Sequence, residues 1–216
     1  MAMMPGFFVR FAVAAVMVLA LAACGRSESY RYKLTLAVNT PDGVKSGSSV
    51  VEALFREVSI PERGTMNKLR GQALYLDLGP GARPLIALLT SHLHPKFGEA
   101  QRWTRYGGPT IRLMCRLYGL TPSDDYMDDV PRIAHLRGAH RITPNDLPDL
   151  VTFADINNPK TVIEVDPNNL QATLGPGVSW NEITLESTDE PITTAIVRKL
   201  VIARVLFRKA RWCSLP

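Results

Sequence analysis

The chain has 216 residues, and the 46% that are hydrophobic exclude an intrinsically disordered protein and suffice for one domain with a substantial core. The formal net charge of +5 is unevenly distributed: residues 25–190 carry 18 basic and 20 acidic side chains, whereas residues 191–216 carry six basic ones and no acidic one. The basic character therefore belongs to the last segment, and we expect the domain not to bind nucleic acid.

The first 24 residues have the three parts of a secretory signal peptide. Arg10 precedes an apolar run over residues 11–20, and small residues follow up to Cys24. The run is shorter than the roughly 20 apolar residues that span a bilayer, and extending it backwards would place Arg10 in the hydrocarbon. An uncleaved membrane helix and a plain secretory signal are the alternatives to a lipoprotein signal.

The segment Leu21-Ala22-Ala23-Cys24 resembles the lipobox of bacterial lipoproteins, in which a leucine, two small residues and a cysteine mark the cleavage and lipidation site. The resemblance implies that residues 1–23 are removed and that Cys24 is lipidated. It also implies a protein held to the membrane by that lipid and facing the periplasm. Gly25 follows the cysteine, where Asp is associated in many lipoproteins with inner-membrane retention, so we expect the outer membrane.

Strand patterns dominate the first half of the mature chain. Residues 24–29 are predicted to be a lipidated tether, and a single β-rich domain over 30–190 is predicted to follow. Pro41 and Gly43 predict a turn between two strands, because proline presets one dihedral angle and glycine permits a positive one. The return strand is expected to be weakened or bulged at Gly47. The predicted strands of these two hairpins are 30–38, 44–55, 71–78 and 85–90.

The second half mixes helix and strand signals. A short helix is predicted over 110–118, ended by Gly119, followed by an acidic loop over 121–131 and a loop with one helical turn over 132–148. Asp166 and Pro167 predict the start of a helix that runs to Leu174. Further strands are predicted at 150–153, 161–165 and 178–186. The fold class is therefore mainly β, an antiparallel sheet or sandwich with a few short helices, with α+β as the alternative.

Two segments, TPDGVKSGSSVVE over 40–52 and DINNPKTVIEVDPNNLQATLGPGVSWNEITLE over 155–186, resemble a group of uncharacterised proteobacterial envelope lipoproteins. The activity of that group is not established, so the resemblance implies no catalytic residues. The basic C-terminal segment, 191–216, does not share the pattern.

His92 and His94 are the most suggestive pair for metal chemistry. On a strand, residues two apart point to one face, so both imidazoles could bind one metal ion. The alternative is that the pair lies at the exposed end of a strand, since neither HExxH nor paired CxxC spacing occurs. Further ligands could come from His135, His140, Asp124, Asp125, Asp128 and Asp129. The four aspartates lack the spacing of a calcium-binding EF-hand loop and are expected to be a solvated loop.

Two further features concern the ends of the mature domain. Cys115 lies among apolar residues, which suits a buried free thiol, although a disulfide with Cys213 is the alternative in an oxidising periplasm. On a helix, the C-terminal segment would place one apolar face opposite its basic residues. That segment is expected either to dock on the body or to contact the membrane or a partner. The apolar face would consist of Ile196, Leu200, Ala203, Phe207 and Ala210.

These observations predict a lipid-anchored cell-envelope protein with a non-enzymatic binding or structural role. Its expected partners are the membrane, through Cys24, and another envelope protein. The alternative is a metal-binding protein or metal-dependent enzyme that uses His92 and His94. No residue pattern points to a catalytic site or to an organic cofactor.

Overall fold

A computed structural model of the protein describes residues 25–58, 64–91, 103–104 and 108–194. Strands and short helices alternate irregularly along these ranges, with 3₁₀ turns at Pro144–Asp146 and Pro159–Thr161. The strands are β1 (Ser27–Thr40), β2 (Gly43–Val58), β3 (Gly64–Arg70), β4 (Leu74–Leu76), β5 (Leu85–Ala87), β6 (Trp103–Thr104), β7 (Gly108–Pro109), β8 (His140–Arg141), β9 (Leu150–Phe153), β10 (Val162–Glu164) and β11 (Ser179–Ser187). The helices are α1 (Ile111–Leu117), α2 (Tyr126–Ala134) and α3 (Leu170–Leu174).

Nine of the described strands form two antiparallel sheets. One has five strands in the order β3-β2-β1-β11-β8, and the other has four in the order β10-β9-β5-β4. β6 and β7 form a separate two-stranded pair. The prediction of a mainly β, antiparallel fold with a few short helices is confirmed.

The β1–β2 hairpin is the longest continuous pairing among the described residues. It runs without a register shift from Ser27, opposite Arg56, to Thr40, opposite Gly43. Pro41 and Asp42 form the turn, Gly43 has φ +102°, and the Thr40 hydroxyl donates to the Gly43 carbonyl at 2.7 Å. The predicted turn is confirmed, because only a residue without a Cβ accepts that backbone conformation readily.

Gly47 does not mark a bulge in this hairpin. It pairs in register with Leu36, whereas the irregularity lies between Ala37 and Val38, on the other side of β1, against β11. A Cβ added at Gly47 would lie 3.4 Å from both a Leu76 methyl carbon and the Tyr75 carbonyl oxygen. Glycine at position 47 therefore allows the second sheet to pack closely against β2. The predicted bulge is wrong.

A helix stands where the sequence predicts an acidic loop. The Asp125 carboxylate accepts the Met127 amide at 2.9 Å and so caps α2, while Asp128 and Asp129 occupy its first turn. Carboxylates at these positions favour a helix N terminus. The loop prediction is therefore wrong. It follows from the aspartates and Pro131, which are residue types common in loops, although Pro131 here lies inside α2.

Two other boundaries differ from the predicted ones. β3 follows a pattern of alternate exposed and half-buried residues with little β-branched character, and the sequence does not predict it. α3 begins at Leu170 after the N-cap residue Asn169, because the Asp166 carboxylate accepts the Asn168 amide at 2.8 Å and closes a turn before the helix. The predicted start at Asp166 is therefore wrong.

The main hydrophobic core joins the two sheets to α1 and α2. Every second residue of β1 faces this core, and α2 packs against β1. Aromatic rings fill the end near the start of β1, where Tyr30 stacks on Phe55 with ring centroids 5.9 Å apart. The core residues of β1 are Tyr30, Tyr32, Leu34, Leu36 and Val38, none more than 4% exposed.

Both ends of the described chain are held to the body. β1 begins at Ser27, so the predicted tether of residues 24–29 is shorter than expected. At the other end the Thr193 amide donates to the Val50 carbonyl at 3.0 Å, and the Gln72 side chain donates to the Thr194 carbonyl at 2.9 Å. The body therefore extends past the predicted boundary at residue 190.

We predict that Gly71→Ala lowers the free energy of unfolding by about 1–3 kcal/mol more than Gly138→Ala does. Both glycines have positive φ, +139° and +106°, so both variants strain the backbone. Only at Gly71 would the new Cβ lie 3.0 Å from the Val50 carbonyl and from Val51, whereas nothing lies within 4 Å at Gly138. Urea denaturation followed by circular dichroism measures the difference, and equal losses would contradict the steric explanation.

Candidate functional site

The start of β1 fixes the body close to the predicted lipidation site. Cys24 lies outside the described residues, but a Cβ at Gly25 would already lie 2.7 Å from the Glu57 carbonyl oxygen. The Arg26 guanidinium donates to the Asp128 carboxylate at 2.5 Å and to the Met127 carbonyl at 3.1 Å. The hydrogen bond that Arg26 donates to Asp128 raises the pKa of Arg26, so this guanidinium keeps its charge. The residues after Cys24 are thus tied to both β2 and α2.

The opposite end of the molecule carries a cleft. β1 has 14 residues, so at ~3.3 Å per residue its two ends lie about 40 Å apart. The cleft has a volume of about 390 Å³ and lies between the start of α3 and the start of β11, beside the far end of β1. It is lined by Pro167, Asn168, Asn169, Leu170, Gln171, Gly177, Val178, Ser179 and Trp180.

One wall of the cleft is held by hydrogen bonds around Trp180. Its indole N–H donates to the Pro167 carbonyl at 2.7 Å, and the half-buried ring packs against the main core. The Asn39 amide donates to the Ser179 hydroxyl at 3.2 Å and to the Trp180 carbonyl at 3.3 Å. The Asn181 amide in turn donates to the Asn39 side-chain oxygen at 3.1 Å. The three bonds of Asn39 connect residues that lie about 140 positions apart in sequence.

The described residues do not test the predicted metal site. His92 and His94 lie outside the described residues. His135 is exposed at the end of α2, and His140 packs edge-on against Tyr118 with ring centroids 4.4 Å apart. Within the described ranges, no group of three or more His, Cys, Asp and Glu side chains could hold a metal ion.

The aspartates of the predicted acidic loop divide into two kinds. Asp124, Asp125 and Asp128 are exposed, as expected. Asp129 is fully buried and accepts three hydrogen bonds: from the Ser123 amide at 2.9 Å, the Ser123 hydroxyl at 3.0 Å and the Arg132 guanidinium at 2.6 Å. The expectation of a solvated side chain is therefore wrong for Asp129, which closes the turn before α2.

A second buried carboxylate, that of Asp146, has the same role, and it too is not predicted from the sequence. Asp146 accepts the Thr143 amide at 3.0 Å and the Thr143 hydroxyl at 2.7 Å on one oxygen. Its other oxygen accepts from Arg116 at 2.8 Å. The spacing of a threonine three residues before an aspartate is a known helix-start signal and could have identified this site.

Cys115 is a free and fully buried thiol, in agreement with its apolar sequence context. Burial raises its pKa to about 11, and the nearby Asp129 carboxylate acts in the same direction. A thiol with a raised pKa holds little of the nucleophilic thiolate at neutral pH. Cys213 lies outside the described residues.

The described residues include no helix with both the length and the apolar character needed to cross a bilayer. No protein-family model matches the chain, and neither a curated protein nor a solved structure is significantly similar to it.

We predict that Asp129→Ala lowers the free energy of unfolding by about 1–3 kcal/mol, because it removes the acceptor of the half-buried Ser123 amide and hydroxyl and the carboxylate partner of Arg132. Asp124→Ala is the matched control, since Asp124 is an exposed neighbour in the same turn, and it should change stability by less than about 0.5 kcal/mol. Chemical denaturation of both variants measures this. Similar small effects in both would show that the Asp129 hydrogen bonds contribute little.

We also predict that Cys115 resists alkylation in the folded protein. In a Cys213→Ser variant at pH 8, below the raised pKa of about 11, both burial and protonation should protect the thiol. Iodoacetamide labelling should be slow in buffer and rapid in urea, with mass spectrometry as the measurement. Rapid labelling without denaturant would contradict the buried position.

Proposed function

We propose that this protein is a lipid-anchored component of the bacterial cell envelope with a non-enzymatic binding or structural role. Cys24 would carry the lipid, and the body would face the periplasm, with the outer membrane as the expected location. The lipobox segment before Cys24 supports the anchor. The position of the cleft at the far end of β1 supports a binding role.

The observation that carries the proposal is the short distance between the anchor and the folded body. Arg26 is already bonded to α2, and β1 begins at Ser27. A lipid on Cys24 would therefore act on the body directly rather than through a flexible linker. Such an attachment restricts the orientation of the body and keeps the start of β1 at the membrane.

A lipid at this position would hold the protein firmly. Each buried methylene contributes about 0.8 kcal/mol, and a single acyl chain binds reversibly whereas two or more anchor stably. Bacterial lipoproteins carry two or three chains. The anchor would thus be stable without help from the basic C-terminal segment, 191–216, of which the described part ends at Thr194 beside Gln72.

With the start of β1 at the membrane, the cleft would lie up to about 40 Å from the bilayer. A component of the periplasm would then meet the cleft end of the body first. This arrangement suits a protein that holds another envelope component at a set height above the membrane. Metal binding through His92 and His94 is the second candidate, favoured by the spacing of the two residues.

We predict that the mature protein begins at an acylated Cys24 and that Cys24→Ser abolishes acylation completely. Labelled palmitate fed to expressing bacteria should enter the unaltered protein and not the variant. Cys115→Ala is the control, because it removes a buried thiol elsewhere and should leave labelling unchanged. Mass spectrometry of the unaltered protein locates the modification, and a retained Met1 or an N terminus at another residue would refute the proposal.

A further inference from the structure

The cleft between α3 and β11 has no ionisable side chain among its lining residues. Its volume of about 390 Å³ falls within the range of roughly 300–1,000 Å³ that ligand sites occupy. An anionic ligand would find no cation on these walls, and a metal ion would find no carboxylate. Asp166 precedes the cleft residues and is not among those that line it. One of its carboxylate oxygens accepts the backbone N–H of Asn168 at 2.8 Å. The lining thus favours a ligand without charge.

The polar side chains of the cleft are the amides of Asn168, Asn169 and Gln171 and the Ser179 hydroxyl, and part of the bonding capacity of the amides is free. Among the described residues, the side-chain amides of Asn169 and Gln171 make no hydrogen bond, and both residues are exposed. Asn168 uses one N–H on the Asn145 side-chain oxygen at 3.1 Å. A side-chain amide offers donors and an acceptor side by side. Adjacent hydroxyl groups of a sugar, each both donor and acceptor, match such a set.

Trp180 adds an apolar surface to the same cleft. Because its indole N–H is already bonded to the Pro167 carbonyl, the part of the side chain that remains for a ligand is the ring. An aromatic face suits the C–H groups on one side of a sugar ring, while the hydroxyls at its rim need amide partners. The cleft places both kinds of group around one cavity.

The walls are also held in place before any ligand binds. Leu170 and Leu174 bury the inner side of α3 in the core, and Val178 is buried at the start of β11. The Trp180–Pro167 hydrogen bond links the two walls directly. A site that is already ordered loses little conformational entropy on binding.

From these observations we infer that the cleft is a binding site for a neutral carbohydrate chain. Trp180 would support one sugar ring, and Asn168, Asn169 and Gln171 would bind its hydroxyl or acetamido groups. The position of this site towards the periplasm rests on the proposed lipid anchor, whereas carbohydrate binding itself does not. Cell-wall glycan and exported polysaccharide would present the same chemistry.

Titration calorimetry of the full-length protein in detergent tests this inference with three tetrasaccharides. The N-acetylglucosamine tetramer represents cell-wall sugars, the β-1,4-linked glucose tetramer represents plain polysaccharide, and a hyaluronate tetrasaccharide is the charged counterpart. We expect one or both neutral probes to bind, and to bind at least tenfold more tightly than hyaluronate. Binding of hyaluronate alone, or of none of the three, would overturn the inference.

Variants locate the binding in the cleft. Asn169→Ala and Gln171→Ala remove exposed side chains that the fold does not use, and each should weaken binding about 3- to 10-fold, as expected for a lost hydrogen bond. Trp180→Ala should weaken binding more than tenfold. If the alanine variant is unstable, Trp180→Phe replaces it in the test, because it keeps an aromatic ring. Unchanged affinity in a variant that lacks both amides would overturn the site.

Matched controls lie elsewhere on the surface. Asn157→Ala removes an exposed amide from the loop between β9 and β10, and Tyr126→Ala removes a 40%-exposed aromatic ring at the other end of the body. Both should bind the probes as the unaltered protein does. Loss of binding in either control would show that the affinity does not come from the cleft. Failure of palmitate labelling would refute the anchor and leave the binding result unaffected.

Discussion

The pairing of β1 with both of its neighbours is the constraint on which the rest of the structure depends. β1 forms 14 residue pairs with β2 on one side, and from Tyr32 to Asn39 it also pairs with β11 on the other. Every second side chain enters the core, so a slip by one residue would expose five large side chains at once. The same strand starts beside the predicted anchor and ends beside the cleft. The distance between the start of β1 and the cleft is therefore fixed by the strand.

Acidic residues in this protein have structural roles that their sequence context conceals. Asp129 and Asp146 each accept hydrogen bonds from the backbone and hydroxyl of one serine or threonine, and each is paired with an arginine. A buried carboxylate is costly unless such partners satisfy it. Here they are satisfied, and each carboxylate closes the turn that precedes or forms a helical segment. These side chains hold loops in place.

The candidate site could be predicted only in part. The proposed lipidation segment is a local pattern around Cys24, so the sequence alone is enough to propose it, and the structure adds that β1 begins at Ser27, three residues later. The cleft could not be predicted, because its wall depends on Asn39 meeting Ser179 and Trp180 across most of the chain. In the sequence, the amide residues and the tryptophan of the cleft lie in a turn-rich stretch, and their spacing is not one that marks a binding site.

By itself, the sequence determined what depends on neighbours in the chain. Alternation in β1, the turn at Pro41 and the helix ended by Gly119 follow from side-chain period and backbone preference, and all three agree with the structure. Only the tertiary structure decided the role of Gly47, the burial of Asp129 and the existence of β3 and the cleft. Each of these depends on which distant segment lies opposite, and that is settled by the packing of the two sheets rather than by local preference.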